Sequence, residues 1–359
     1  MQEKVNRLFL WAKGQIAPPY LIDINPTDYC NLRCISCWQR NRRFEGKLDS
    51  KWYEVSGKRL LALVDEAKEL GIKRWEITGG GEPFIRKNLV RDLTKKIRKY
   101  GMNGNITTNG TLFTKEVIHH LIKTNWSRIT FSIDGPDAKT NDFLRGSPNA
   151  FRKATEALKL IKREKSILKK DKPKIAFNVV LSNKNYDKLN QMIKLANKYN
   201  CEFIKFEPIT IHSKEGEKLK LNRLQITELQ KNIPLAEKSA KKYRIKTNLY
   251  HLLDTNLVQK SNHIKINKIK NDFLSLPCYE PWYHIVIKVD GTAGPCCIYD
   301  KKKLNIKNKT LKEIWYSNYF NKLRKKIIKG KLPDFCKICN AGQIMENKRI
   351  RELLEKRIS

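Results

Sequence analysis

Leu21-Ile22-Asp23-Ile24-Asn25, followed after Pro26-Thr27-Asp28-Tyr29 by Cys30-Asn31-Leu32-Arg33-Cys34-Ile35-Ser36-Cys37, is the stretch on which the reading of this chain turns. The first five residues form a short β-rich run, and the next twelve a polar loop carrying three cysteines in the spacing C-x3-C-x2-C. Three thiolates on one short loop can ligate three irons of a 4Fe-4S cube and leave the fourth iron open to an outside ligand. A closed set of cysteines would serve plain electron transfer; an open iron implies chemistry. Zinc is the competing occupant, but three thiols in eight residues with no nearby His leave a closed tetrahedral site incomplete.

Working outward, β-rich runs recur at Leu21 to Asn25, Lys73 to Thr78, Gly104 to Thr108, Arg128 to Ile133, Lys174 to Val180 and Phe203 to Pro208. Between them Trp52 to Leu70, Leu89 to Tyr100, Lys115 to Lys123, Ala150 to Arg163 and Lys188 to Tyr199 carry apolar residues at helical spacing. The alternation predicts parallel strands joined by right-handed helical crossovers, as an open doubly wound sheet or a partial barrel. In both, ligands gather at the C-terminal ends of the strands. The loops there are Thr27 to Cys37, Gly79 to Pro83, Thr107 to Gly110 and Asp134 to Pro136.

These motifs together resemble the radical S-adenosylmethionine (SAM) superfamily, over roughly residues 18 to 210. The resemblance implies a partial (β/α)6 TIM-type barrel, with Cys30, Cys34 and Cys37 as catalytic cluster ligands. It implies that Gly80-Gly81-Glu82-Pro83 receives the methionine amino group of SAM. Thr107-Thr108-Asn109-Gly110 and Ser132-Ile133-Asp134-Gly135 correspond to segments that contact the methionine carboxylate and ribose, with Thr108, Asn109, Ser132, Asp134, Arg145 and Asn178 as the candidate contacts. A zwitterionic methionine needs both an acceptor and donors, and close backbone approach accounts for the glycines. One departure stands out: Ser36 occupies the place before the third cysteine where the family usually has an aromatic residue near the adenine, and Trp38 is the candidate substitute.

After Pro208 the alternation stops. Lys214 to Ser275 reads as a charged helical connector, most regular over Leu224 to Tyr243. A new unit begins near Cys278, with a strand-like Trp282 to Val289, a hairpin signal at Asp290-Gly291 and a helix over Leu311 to Ile328. Cys278, Cys296, Cys336 and Cys339 give C-x17-C and then C-x2-C, four ligands that can close a second site. This resembles the SPASM/twitch extension of the same superfamily, a small α+β Fe-S domain, and implies one auxiliary 4Fe-4S cluster because no cysteine follows Cys339. Structural zinc satisfies the same four-thiolate requirement. Cys297 adjoins Cys296 and can exchange roles with it; the glycine spacing favours Cys296. Cys201 reads as a small buried hydrophobe. The expected organisation is a barrel with an N-terminal extension over 1–210, the connector over 211–275, the cluster domain over 276–345 and a helical tail over 346–359.

Composition bounds the rest. The 359 residues include 74 Lys and Arg against 36 acidic residues, a formal charge of +38, which attracts nucleic acid, anionic membrane surfaces or phosphorylated substrates. The lysines are spread over nearly every predicted helix, so a solvated surface or compositional bias explains much of the excess. No stretch approaches the roughly 18 apolar residues of a membrane span and no signal segment is evident, so a soluble cytoplasmic protein is expected. The nine cysteines are clustered as metal-binding sets rather than spread as a disulfide framework. Trp282, Tyr283 and His284 read as hairpin core, and His119 and His120 as surface.

The functional expectation from the resemblance is reductive cleavage of SAM to a 5'-deoxyadenosyl radical that abstracts hydrogen from a peptide, protein or small-molecule substrate. The electron comes from a donor such as ferredoxin or flavodoxin. An enzyme acting on RNA or anionic lipid, and a non-catalytic Fe-S or zinc binding module, are the alternatives.

Overall fold

A computed structural model describes residues 2–39, 53–253, 273–299, 303–337, 339 and 341–358. Trp52 and residues 254–272, within segments expected above, lie outside them.

Six parallel strands, β1 (Leu21–Ile24), β2 (Arg74–Ile77), β3 (Asn103–Thr108), β4 (Arg128–Ser132), β5 (Lys174–Leu181) and β6 (Cys201–Pro208), pair in chain order. All six expected runs are strands, with bounds moved by at most two residues. β7 (Lys246–Thr247) adds to β6, and β8 (His284–Ile287) and β9 (Ala293–Gly294) add beyond β1, giving the order β7-β6-β5-β4-β3-β2-β1-β8-β9. β8 runs parallel to β1, with Leu21 opposite His284 and Ile24 opposite Ile287. The sequence places this strand in a separate C-terminal unit; in the structure it extends the barrel sheet.

Alternation within each strand sends apolar side chains outward and polar ones inward. In β1, Ile22 and Ile24 are fully buried in the main core while Asp23 lies on the opposite face. The outward residues meet α2 (Gly57–Glu69), α3 (Lys87–Lys99), α4 (Lys115–Lys123), α5 (Ala138–Arg145), α6 (Ala150–Ile167) and α7 (Leu189–Lys198). Trp75, Trp126, Phe131, Phe177 and Phe206 anchor that layer at 0% exposure. Each such side chain contributes on the order of 1.5–3 kcal/mol by leaving water.

The helices begin where short polar side chains can cap them. Asp137 accepts from Thr140 N at 2.8 Å to start α5, a helix the sequence reading omits. Beyond the barrel come the four-residue α8 (Lys214–Glu217) and α9 (Arg223–Lys242), which opens on an Asn222/Gln225 capping box. The helix expected over Leu311 to Ile328 is two, α10 (Leu311–Trp315) and α11 (Asn318–Ile328). They are divided at Ser317, whose hydroxyl accepts from Phe320 N at 3.3 Å and so starts a new helix.

A second core joins the chain termini. Helix α1 (Gln2–Ala12) and α12 (Ala341–Ile358) meet the residues before β8, burying Val5, Leu8, Tyr279, Trp282, Tyr283, Ile350 and Leu354. Arg7, 6% exposed, donates to the Pro18 carbonyl at 3.2 Å and the Gly71 carbonyl at 2.6 Å, fastening α1 to the barrel. The N-terminus of α12 reaches the barrel interior: a Cβ on Gly342 would stand 2.1 Å from Glu207 Oε1. Among the described residues no helix is long and apolar enough to cross a membrane.

Candidate active site

The loop carrying Cys30, Cys34 and Cys37 is bonded to three neighbours. From β2, Gly81 N donates to the Thr27 carbonyl and Glu82 N to the Tyr29 carbonyl, both at 2.7 Å. From β3, Asn109 Nδ2 lies 3.9 Å from Cys30 Sγ and donates to Asn31 Oδ1 at 3.0 Å. From α5, the Leu144 carbonyl accepts from Ile35 N at 3.0 Å and the Arg145 carbonyl from Arg33 N at 3.3 Å. Asp28, below the loop, accepts from Tyr53 at 2.9 Å and Gln39 at 2.5 Å. The thiols are therefore set by a lattice of hydrogen bonds rather than by the loop alone.

Glycines make this closeness possible. A Cβ on Gly80 would meet Asp28 Oδ1 at 1.8 Å, and one on Gly81 would meet the Tyr29 carbonyl oxygen at 1.7 Å. Pro83 starts a 3-10 turn over Pro83–Arg86 that carries the chain into α3. Glu82, 2% exposed, accepts from Thr108 Oγ1 at 2.7 Å, Asn109 N at 2.8 Å and Phe84 N at 3.2 Å. Burial pushes its carboxyl up to about 7, against the pull of those donors. Glu82 thus ties the ends of β2 and β3 together, a role beyond the ligand contact that the resemblance suggests.

Asp134 and Arg145 are brought together at 2.9 Å, both nearly closed to solvent. Asp134 also accepts from Val180 N at 2.8 Å. Arg145 turns its other nitrogen to Cys34 Sγ at 3.9 Å. Burial opposes the guanidinium charge, but Asp134 and then Cys34 outweigh it and hold Arg145 above its usual value. The Cys34 thiol is pushed up to about 11, chiefly by burial, with Arg145 opposing. A half-buried thiol of this kind would ionise on binding iron, and the donor set of three sulfurs beside a guanidinium suits a 4Fe-4S centre. Ser132 stands opposite Asn178 across the β4–β5 pair. The Asn178 side chain bonds Glu207, inside the barrel.

The barrel interior is polar and largely unforeseen by the sequence. Thr130 Oγ1 donates to Asn105 Oδ1 at 2.9 Å, Asn105 Nδ2 to Glu76 Oε2 at 2.7 Å, and Arg74 Nε to Glu76 Oε1 at 2.8 Å. Lys205 and Glu207 pair at 2.6 Å. Asp23 accepts from Thr78 Oγ1 at 2.7 Å, next to His284. Burial pushes the Asp23 carboxyl up to about 7; His284 and Thr78 oppose the rise, while Glu76 and Glu280 add to it. Inward polar residues on a strand look the same as solvent-facing ones in a period-2 pattern, so only the folded sheet reveals them.

Asp23 gives a pH-dependent prediction. In the unfolded chain its carboxyl ionises near 3.8, whereas in the fold it holds its proton to about 7. Stability therefore falls as pH rises through that window, and the penalty is complete above it. At about 1.4 kcal/mol per pKa unit, reduced by water in the lumen, Asp23→Asn is predicted to stabilise the chain by on the order of 2 kcal/mol at pH 8 and by nothing near pH 3. Denaturant midpoints of both proteins across pH check this; a constant offset at every pH refutes it.

Cys278, Cys296, Cys336 and Cys339 are near enough to influence one another, though among the described residues no three potential ligands stand close enough to hold a single metal ion. Cys278 senses Cys296 and Cys339, and Cys296 senses Cys336. Burial pushes Cys296 up to about 12 and Cys336 up to about 11. Cys297, next to Cys296, is exposed. The Asp290-Gly291 hairpin forms as expected, with Gly291 at φ +86°, and Lys288 N donates to the Thr292 carbonyl at 2.9 Å. Trp282, Tyr283 and His284 are core residues, 1%, 2% and 4% exposed. Cys201 is buried in the main core. His120, expected at the surface, is half-buried, with Nε2 2.9 Å from Thr94 Oγ1.

Three thiols on a strand-end loop, braced by a glycine turn and polar strand ends inside a parallel barrel, define an enzyme class that binds a 4Fe-4S cluster and SAM and works by radical chemistry. Comparison with known proteins agrees. Residues 24–196 match the radical SAM superfamily, and residues 278–340 match SPASM, an iron-sulfur cluster-binding domain. The chain therefore carries a radical SAM domain followed by a SPASM domain. It is 25% identical over 346 residues to the AdoMet-dependent heme synthase of Methanosarcina barkeri, covering 93% of this chain and 92% of that protein. It is 27% identical over 201 residues to the mycofactocin maturase MftC of Mycobacterium tuberculosis, covering 56% and 48%. Among solved structures, Streptococcus suis SuiB bound to SAM shares the fold with a TM-score of 0.66 at 18% identity, over 92% of this chain and 74% of that one.

Proposed function

We propose that this chain turns its radical chemistry on a polar group, part of a peptide or small molecule, held in the barrel lumen between the two cysteine sets. We also propose that Cys278, Cys296, Cys336 and Cys339 hold one auxiliary cluster that takes the electron left on the substrate. The observation that supports this reading is the lumen itself. Asp23, Glu76, Asn105, Thr130, Lys205 and Glu207 line it, and the Asn178 side chain bonds Glu207 there. These groups pair with one another, and an apolar substrate would leave their remaining donors and acceptors unmatched. A polar one replaces the water they lose.

When bound, the N-terminal cluster supplies the electron that splits SAM and releases the hydrogen-abstracting radical. The chain's own residues do the rest. Glu82 fixes the β2 and β3 loops against each other, Arg145 and Asp134 hold a fixed charge pair next to Cys34, and Gly80 and Gly81 let backbone amides approach the cofactor. Helix α12, packed on α1 and β6, closes the lumen flank beside Cys339. SuiB, which shares this fold, has been crystallised with its precursor peptide SuiA.

The test is a metal count. Anaerobically reconstituted chain should carry roughly eight irons, and a Cys278→Ala/Cys336→Ala variant roughly four while still cleaving SAM. Four irons in the parent, with zinc at the distal site, would overturn the auxiliary assignment.

A further inference from the structure

The chemistry above needs one electron from outside the chain, and the structure offers one short route for it. Helix α5 is bonded end-on to the Cys30–Cys37 loop through the Leu144 and Arg145 carbonyls. Its last residue is locked there: a Cβ on the following Gly146 would stand 2.2 Å from the Arg33 carbonyl oxygen. One residue before Leu144, Phe143 presents its ring to solvent at 51% exposure. From that ring to Cys34 the covalent and hydrogen-bonded path crosses only the Leu144 carbonyl and the Ile35 amide.

The surroundings of Phe143 are cationic. Lys184 Nζ stands 5.9 Å from the ring centroid. Lys139, four residues back on the same helix face, is exposed, as are Arg33 and Lys218. Lys218 is held next to Lys184 because its carbonyl accepts from Asn183 Nδ2 at 2.8 Å. Leu219 packs against Leu144 beneath them. The nearest carboxylates are occupied or peripheral. Asp142 accepts from Asn149 N at 2.8 Å and Phe151 N at 2.7 Å, Asp137 caps α5 with Lys188 at 3.9 Å, and Glu217 pairs with Lys220. Asp187 and Glu215 are exposed at the rim.

We propose that this face, centred on Phe143 and ringed by Arg33, Lys139, Lys184 and Lys218, is the docking surface for an acidic, low-potential one-electron carrier protein. An exposed aromatic that docking would desolvate, set within a ring of charge, is the arrangement of an interface core and its steering rim. The sign of the ring selects an acidic partner, and the +38 charge of the whole chain steers it from a distance. At docking the carrier loses one electron and the cysteine-held centre gains it; no atom or proton moves. The proposal rests on the reading that Cys30, Cys34 and Cys37 hold that centre.

The experiment follows 5'-deoxyadenosine formation by the reconstituted enzyme and by a Lys139→Glu/Lys184→Glu variant, with either a reduced acidic flavodoxin or dithionite as sole reductant. With flavodoxin at low salt the variant should be slower by at least about tenfold, and the parent rate should fall as salt is raised. With dithionite the two proteins should agree within about twofold, since a small reductant needs no docking. Equal flavodoxin-driven rates would place the docking face elsewhere. A variant that fails with both reductants has a damaged site; the same rate ratio measured on Lys139→Gln/Lys184→Gln, expected to be several-fold, then decides. A parent that fails with dithionite sinks the cluster reading itself.

Discussion

Cys34→Ala is expected to lose roughly four irons per chain and to cleave SAM no faster than protein-free reductant. The reason lies in what surrounds the sulfur. Cys34 is the cysteine nearest Arg145, whose charge is held up by Asp134 at 2.9 Å. Removing the thiolate leaves a two-sulfur loop facing a buried cation, an environment that no longer balances an iron centre. The effect is on the site and not on the fold, because the loop keeps its backbone bonds to Gly81, Glu82, Leu144 and Arg145. Cys201→Ala is the internal control: that sulfur lies in the main core, and its loss should leave iron content and cleavage unchanged. Iron analysis and 5'-deoxyadenosine assay on the two variants, prepared without oxygen, check the pair. A Cys34→Ala protein that still cleaves SAM would falsify the assignment of the N-terminal loop.

The parts of this molecule that were readable from sequence are those in which local pattern and global environment agree. The six barrel strands carry apolar residues on the helix-facing side, and their loops hold the glycines and polar groups that ligands need, so both fold and cluster site were visible. β8 shows where that agreement fails. Its residues are buried on both faces, 0–4% exposed, because it lies between β1 and β9 with Ile285 and Ile287 in the main core. Nothing in Trp282 to Val289 tells which sheet it joins. The lumen residues were missed for a related reason. Asp23, Glu76 and Lys205 sit at positions that alternate with apolar neighbours, and an amphipathic strand looks alike whether its polar side meets bulk water or a closed interior. The division at Ser317 was written in the sequence as a Ser followed by Asn, a start signal inside an otherwise continuous apolar period. The period was the stronger cue and hid it.

Gly81→Ala is the substitution expected to do most damage for the fewest atoms. A Cβ at this position would lie 1.7 Å from the Tyr29 carbonyl oxygen and 2.7 Å from the Asp28 carbonyl carbon. Both belong to backbone, so no side-chain rotation relieves the clash. Tyr29 cannot withdraw freely, since its carbonyl accepts from Glu82 N at 2.7 Å and the next residue is Cys30. Making room means separating the β1 and β2 loops, which breaks the Gly81 N to Thr27 bond and moves Glu82 away from Thr108 and Asn109. Each lost bond in a buried setting costs about 1–3 kcal/mol, and the carboxylate left behind is buried without its donors. We predict at least a hundredfold loss of SAM cleavage, about 2.7 kcal/mol of barrel-mouth organisation. The cysteines themselves are untouched, so iron content should fall less than cleavage does. The spectroscopic change that SAM binding induces in the reduced cluster should vanish first. Parent-like cleavage by Gly81→Ala would mean that the two loops are not in contact in the working enzyme, and the placement of the methionine end of SAM at Gly80–Pro83 would fall with it.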